Sequence, residues 1–154
     1  MTLGAAMRIV TASMIVAATF VAVGCSGDDD APDEWEGPGV ALGRLDPAAF
    51  NDYADGVDAS WRRAPALTAG EYVRVDAADA RVTTIEATTG PEGGPTASAT
   101  VVLDGLLDDS VRARRYLIDL ARDDDGTWSI ESVLATQRCW PRRGHQGYAP
   151  TPCR

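Results

Sequence analysis

The side chains with the most chemical potential lie together at the carboxyl end. Residues 138–154 carry four arginines (Arg138, Arg142, Arg143 and Arg154), the only histidine (His145), two of the three cysteines (Cys139 and Cys153), and no Asp or Glu. Guanidinium groups make charge-assisted, often bidentate hydrogen bonds to phosphate or carboxylate, and Trp140 or Tyr148 offers a face for stacking. The whole chain has a formal net charge of −9, so this basic end sits on a body that is four units more negative still. Two readings follow. Arg138, Arg142, Arg143, His145 and Tyr148 could dock an anionic ligand, or the arginines could lie against the protein's own Asp-rich turns. No metal site or other cofactor is expected, because His145 has no further ligands at a recognised metal-binding spacing. An acidic surface repels nucleic acid, which is therefore not an expected partner. All the basic residues are Arg and none is Lys, a bias we attribute to a GC-rich coding sequence rather than to chemistry.

The third cysteine has a different setting. Residues 1–24 read as a secretory signal: Arg8 supplies the positive charge and Ile9 to Val23 form a short apolar run. It is followed by Ala22-Val23-Gly24-Cys25 and then Ser26, Gly27 and three Asp. This resembles the lipobox of bacterial lipoproteins, with Ala22 where Leu is commonest. The resemblance implies diacylglyceryl transfer to the Cys25 thiol, cleavage before Cys25 and acylation of the new amine by a chain such as palmitate. Two or three acyl chains suffice for stable anchoring where one is marginal. The expected location is the extracytoplasmic face of a cell membrane. Residues 25–43 then form a lipidated acidic tether, rich in Asp, Glu, Gly and Pro, of a composition that stays extended and spans roughly 25 Å. Trp35 is its one odd residue, suited to packing back on the domain or on the membrane interface.

With Cys25 assigned to lipid, two thiols remain in an oxidising compartment, and a Cys139–Cys153 disulfide is the economical reading. Such a loop contributes roughly 3 kcal/mol in the chain-entropy model. The run Cys-x-Pro-x-Arg-Gly-His-Gln from Cys139 to Gln146 is also similar to the tail of small lipoproteins of high-GC Gram-positive bacteria, a likeness that supports the disulfide and implies no activity.

Residues 44–137 must position this disulfide-closed basic tail, residues 138–154. Their strongest local signal is a hairpin around Asp123-Asp124-Asp125-Gly126. A three-residue loop, Asp124 to Gly126, sets Arg122 against Trp128, Leu120 against Ile130, Ile118 against Ser132 and Tyr116 against Leu134. That register places Tyr116, Ile118, Leu120, Trp128, Ile130 and Leu134 on one apolar face. Asp46-Pro47 starts a helix whose stripe is Phe50, Tyr53, Ala54, Val57 and Trp61. Gly56 weakens it by about 1 kcal/mol, and Pro65 is expected to end it. Further strands are expected at Glu71–Val75, Ala80–Thr88 and Thr96–Leu103, with a bend at Asp104-Gly105. The fold class is α+β: one amino-terminal helix on a twisted antiparallel sheet of four to five strands, with a C-terminal disulfide loop.

The order of one helix and then strands, ending Tyr116-x-Ile118-x-Leu120, Asp125-Gly126, Trp128-x-Ile130, resembles the cystatin-like and NTF2-like folds. Those folds host enzymes, binding modules and inhibitors, so they set no function by themselves. An enzyme in the helix–sheet cavity needs an inward carboxylate or His of raised pKa. Asp119 and Glu131 fall on the outward face of the hairpin, and Asp52, Asp55 and Asp58 fall off the helix stripe. No catalytic residue is therefore expected, and a non-enzymatic binding role is. The expected partners are the membrane, through the anchor, and an anionic wall polymer, a lipid head group or a protein. The small NTF2-like enzyme and the cystatin-like partner module stand as alternatives. The anchor makes a direct prediction: Cys25→Ser releases the protein from membranes into the soluble fraction, and a variant that still sediments with salt-washed membranes refutes the assignment.

Overall fold

The hairpin turn forms as its residues require. In a computed structural model, which describes Glu34 to Arg154, Gly126 takes φ +86, a conformation that costs glycine little. The Asp125 carboxylate accepts hydrogen bonds from the Thr127 hydroxyl at 2.6 Å and its N–H at 2.9 Å. These bonds hold the Asp125 carboxyl below its ordinary pKa. The signal segment, Cys25 and the tether up to Asp33 lie outside the described residues.

The architecture is α+β, with an open five-stranded antiparallel sheet. In chain order the elements are β1 (Gly43–Leu45), α1 (Ala48–Gly56), a 3-10 turn (Ser60–Arg63), α2 (Pro65–Tyr72), α3 (Arg74–Ala77), β2 (Val82–Thr89), β3 (Thr96–Asp104), β4 (Val111–Arg122) and β5 (Trp128–Cys139). The strand order is β1-β5-β4-β3-β2. The helices cover one face, where Phe50, Tyr72, Val73, Val101, Leu103, Tyr116, Ile118, Leu120, Trp128 and Ile130 form the core.

The expected register holds from Arg122–Trp128 to Leu120–Ile130 and then shifts. Asp119 pairs with Ser132, so Glu131 is an extra, bulged residue. One added residue reverses the parity of everything after it. Ile118 therefore faces Val133, Tyr116 faces Ala135, and Leu134 moves to the outer face opposite Leu117. Val133 and Ala135 are buried while Leu134 is 39% exposed. Leu134 is thus not a core residue, and the small Ala135 sits beneath the bulky Tyr116.

The single helix expected over residues 47–63 is divided. Asp46 does serve the helix start, accepting from the Ala48 N–H at 3.0 Å. The chain leaves the helix after Gly56, with Val57 extended. Pro65 starts α2 instead of ending the first helix: it occupies the first turn, preceded by an extended Ala64. Glu71–Val75 is not a strand but straddles α2 and α3. The face Thr68, Ala69 and Tyr72 is buried against the sheet, and that burial overrides the strand propensity of Tyr72, Val73 and Val75. The fifth strand is β1, pairing Gly43–Leu45 with Val133–Ala135. Glu34–Gly43, read above as tether, packs on the domain. The Trp35 Nε1–H donates to the Tyr72 carbonyl at 2.7 Å, and its ring stacks on Tyr72 and meets Phe50 edge-on.

Along the outer edge of β5 three pieces from different parts of the chain supply backbone partners. β1 covers residues 133–135, and Ala149 exchanges two 3.0 Å bonds with Gln137. Asn51 of α1 donates to the Ile130 carbonyl at 2.9 Å and accepts from its N–H at 3.0 Å, so one side chain replaces a strand beside the bulge. Asn51→Ala leaves both Ile130 groups without these partners and is expected to cost about 1–3 kcal/mol, read as a lower urea midpoint. A midpoint equal to the unsubstituted protein's refutes the capping role.

Candidate functional site

The tail folds back across the outer face of the sheet. The Cys139–Cys153 disulfide is present, with Cα atoms 5.5 Å apart. Gly144 passes directly over it: at φ +146, a Cβ there would lie 2.7 Å from the Cys139 sulfur. Trp140 Nε1 donates to the Asp108 carbonyl at 2.9 Å. The His145 ring nitrogens lie 2.8 and 2.9 Å from the carbonyl oxygens of Gly147 and Thr151, so its side chain braces the loop. Cys139, His145 and Cys153 converge within 4.8 Å, but a sulfur held in a disulfide is not the thiolate a metal needs.

The arginines divide between the two readings. Arg138 does both things: its guanidinium reaches Asp104 at 3.2 Å and lies 5.3 Å from the centre of the Tyr148 ring. Arg143 faces the exposed Asp109 at 3.7 Å, a pair worth little on a surface. Arg142, at φ +69, is exposed and has no carboxylate within 4.0 Å among the described residues. The closest cation to Tyr148 is one that the sequence reading missed. Arg115 of β4 stacks 4.5 Å from the ring centre, and Arg112 lies 5.5 Å from that of Trp140. Arg115 forms no ion pair among the described residues, and its Nε is buried without a partner, as is that of Arg138. Arg115, Arg138 and Tyr148 thus make a cationic, aromatic-backed face built from β4, β5 and the tail. The sequence did hold a signal. Consecutive residues of a strand point to opposite faces, so Arg114-Arg115 had to send one arginine outward and the other toward the helices.

The inward arginine builds the second constellation. Arg114 Nη1 lies 3.0 Å from the Asp76 carboxylate and donates to the Gly39 carbonyl at 2.8 Å. The Tyr116 hydroxyl donates to the same Asp76 oxygen at 2.6 Å. Arg114 and Asp76 side chains are only 12% and 11% exposed. Burial first, then the hydrogen bond to Asp76 and its charge, push the Tyr116 hydroxyl well above its ordinary pKa. Burial, with Asp76 adding, pushes Tyr72 up to about 12. Burial of Arg114 opposes its charge, but Tyr116 and Asp76 outweigh it and raise its pKa. This network joins the Gly39 segment, α3 and β4. Both of its donors converge on one Asp76 oxygen, an arrangement that positions chain segments. Asp52, Asp55, Asp58, Asp119 and Glu131 are all exposed, as expected.

An open groove of about 1040 Å³ runs beside Trp35, with Glu34, Glu36, Asp52 and Tyr53 among its walls. Among the described residues no helix is long and apolar enough to cross a membrane. No family model, curated protein or solved structure matches the chain.

The buried network sets an alkaline limit. Tyrosines of the unfolded chain ionise near about pH 10, whereas Tyr72 and Tyr116 hold their protons to higher pH. Below about pH 10 both states keep the proton and these residues leave stability level. Above it the unfolded chain releases protons first, so stability falls as pH rises. Tyr116→Phe should flatten that alkaline decline in urea midpoint. Arg114→Ala, which strips Asp76 of its cation, should cost about 3–5 kcal/mol. A change under about 1 kcal/mol would place this ion pair with surface pairs.

Proposed function

We propose that the protein is a lipid-anchored extracytoplasmic lipoprotein, tethered through Cys25, whose domain binds an anionic group of the cell envelope without catalysing a reaction. The domain is read as an NTF2-like or cystatin-like helix-on-sheet arrangement. One observation carries the binding role: on a chain with net charge −9, Arg115 is left without a carboxylate and held on Tyr148 instead. An acidic protein has carboxylates to spare, and a half-buried guanidinium backed by a ring is pre-oriented for phosphate or carboxylate. The filling of the helix–sheet interior by Phe50, Tyr72, Tyr116 and Trp128 favours a ligand on the outer face over a substrate inside. It bears in the same way on the small-enzyme alternative.

The test uses a soluble form beginning at Ser26, so that Trp35 is kept. Its binding to phosphatidylglycerol and phosphatidylcholine vesicles and to inorganic polyphosphate is compared across salt. Binding to the anionic probes that weakens with salt, and that falls about tenfold in Arg115→Gln for a lost charge-assisted contact, supports the site. Binding unchanged by Arg115→Gln but lost in Arg142→Ala/Arg143→Ala moves it to the tip of the tail. Absence of binding to either anionic probe overturns the reading.

A further inference from the structure

The two edges of the sheet are treated in opposite ways. The β5 edge is occupied by β1, Ala149 and the Asn51 amide. The other edge is β2, eight residues long, and every one of them is exposed. Nothing among the described residues bonds to its free side. Its register with β3 shows which groups are free. Gly90 N–H donates to the Thr96 carbonyl, so the even-numbered residues of β2 face β3 and Thr83, Ile85, Ala87 and Thr89 turn their N–H and C=O groups outward.

Natural sheets blunt such edges with bulges, Pro, lysine, inward charges or a covering loop. The sequence Val82-Thr-Thr-Ile-Glu-Ala-Thr-Thr89 contains no Pro and a single charge, Glu86, and its pairing with β3 is regular throughout. The helical layer reaches it through α2 but covers it only in part. Ile85 lies on the core side, opposite the buried Val101, and rests beside Gly70 of α2, yet it is 36% exposed.

We propose that β2 pairs antiparallel with β2 of a second copy of this chain across a two-fold axis, joining the two sheets into one. The strand is self-complementary in one register. Keeping the faces aligned and joining outward groups to outward groups requires odd residues opposite odd residues. Ile85 opposite Ile85 of the second copy satisfies this and uses the strand from Val82 to Thr88. Thr83 then meets Ala87, Val82 meets Thr88, and Thr84 meets Glu86. Moving two residues one way sets Glu86 directly against Glu86, a like-charge pair that opposes association. Moving two residues the other way shortens the ladder to Val82–Glu86. The nearly neutral strand suits contact between two strongly acidic bodies, whose repulsion salt screens. Association through β2 should therefore strengthen with salt, opposite to the anion binding proposed above, and the two can fail independently.

The experiment uses the full chain in detergent with Cys25→Ser, so that an introduced cysteine is the only thiol outside the native disulfide. Paired residues facing each other through their hydrogen bonds have Cα atoms about 5.5 Å apart, within disulfide reach. Under mild oxidant Ile85→Cys should give a reducible covalent dimer, forming at least tenfold faster than with Glu86→Cys and faster in high salt. Adding Ala87→Pro removes one outward N–H without breaking a bond to β3 and should cut the Ile85→Cys rate at least tenfold. Persistence of monomer in Ile85→Cys overturns the proposal, leaving the edge free or filled by another protein. Equal rates for the two cysteines, or a rate indifferent to Ala87→Pro, overturns it as well.

Discussion

The extra residue at Glu131 governs the rest of the sheet. A strand alternates its side chains between two faces, so one bulged residue exchanges the faces for everything that follows. Upstream of it Trp128 and Ile130 point into the core; downstream Val133 and Ala135 do. Ala135 lies opposite Tyr116, whose buried ring reaches Asp76 through its hydroxyl. The same shift sends Thr136 and Arg138 outward, and Arg138 there meets the Tyr148 ring. Without the bulge these residues would exchange places with their neighbours, and the aromatic-backed cation face would not form.

Charge is organised by the same alternation. Arg114 and Arg115 are adjacent in sequence and opposite in space. One is buried with Asp76 and holds α3 and the Gly39 segment to the sheet. The other has only an aromatic ring. Burying an ion pair is costly unless hydrogen bonds compensate it; Arg114 engages both a carboxylate and a backbone carbonyl through Nη1, while its Nε stays unpartnered. The outward guanidinium is half-buried against that ring, with its Nε unpartnered.

The edges show how a small sheet is closed unequally. Three unrelated segments converge on β5, among them an asparagine that offers a donor and an acceptor at the spacing of a backbone group. The amino-terminal segment belongs to this closure. It contributes β1, and through Trp35 it contributes an aromatic wall and a bond to the end of α2. β2 receives none of this.

By itself the sequence determined the turn, because Gly126 and the Asp125–Thr127 pair act within five residues of chain. It also determined the α+β class, through two alternating strands and an amphipathic stripe, and the pairing of the two carboxyl-terminal cysteines. Tertiary structure decided what depends on contacts between distant residues. The bulge leaves no local mark, because Ser132 to Ala135 alternate acceptably in either parity and only packing against Tyr116 chooses one. Glu71–Val75 has strand propensity, yet it is helical because Tyr72 must reach the core. Pro65 is equally compatible with ending one helix and starting another, and the burial of Thr68 and Ala69 selects the start. The cation face required an arginine from β4, an arginine from β5 and a tyrosine from the tail to meet. Sequence spacing could place Arg138 and Tyr148 in one segment, but only the strand register could bring Arg115 to them.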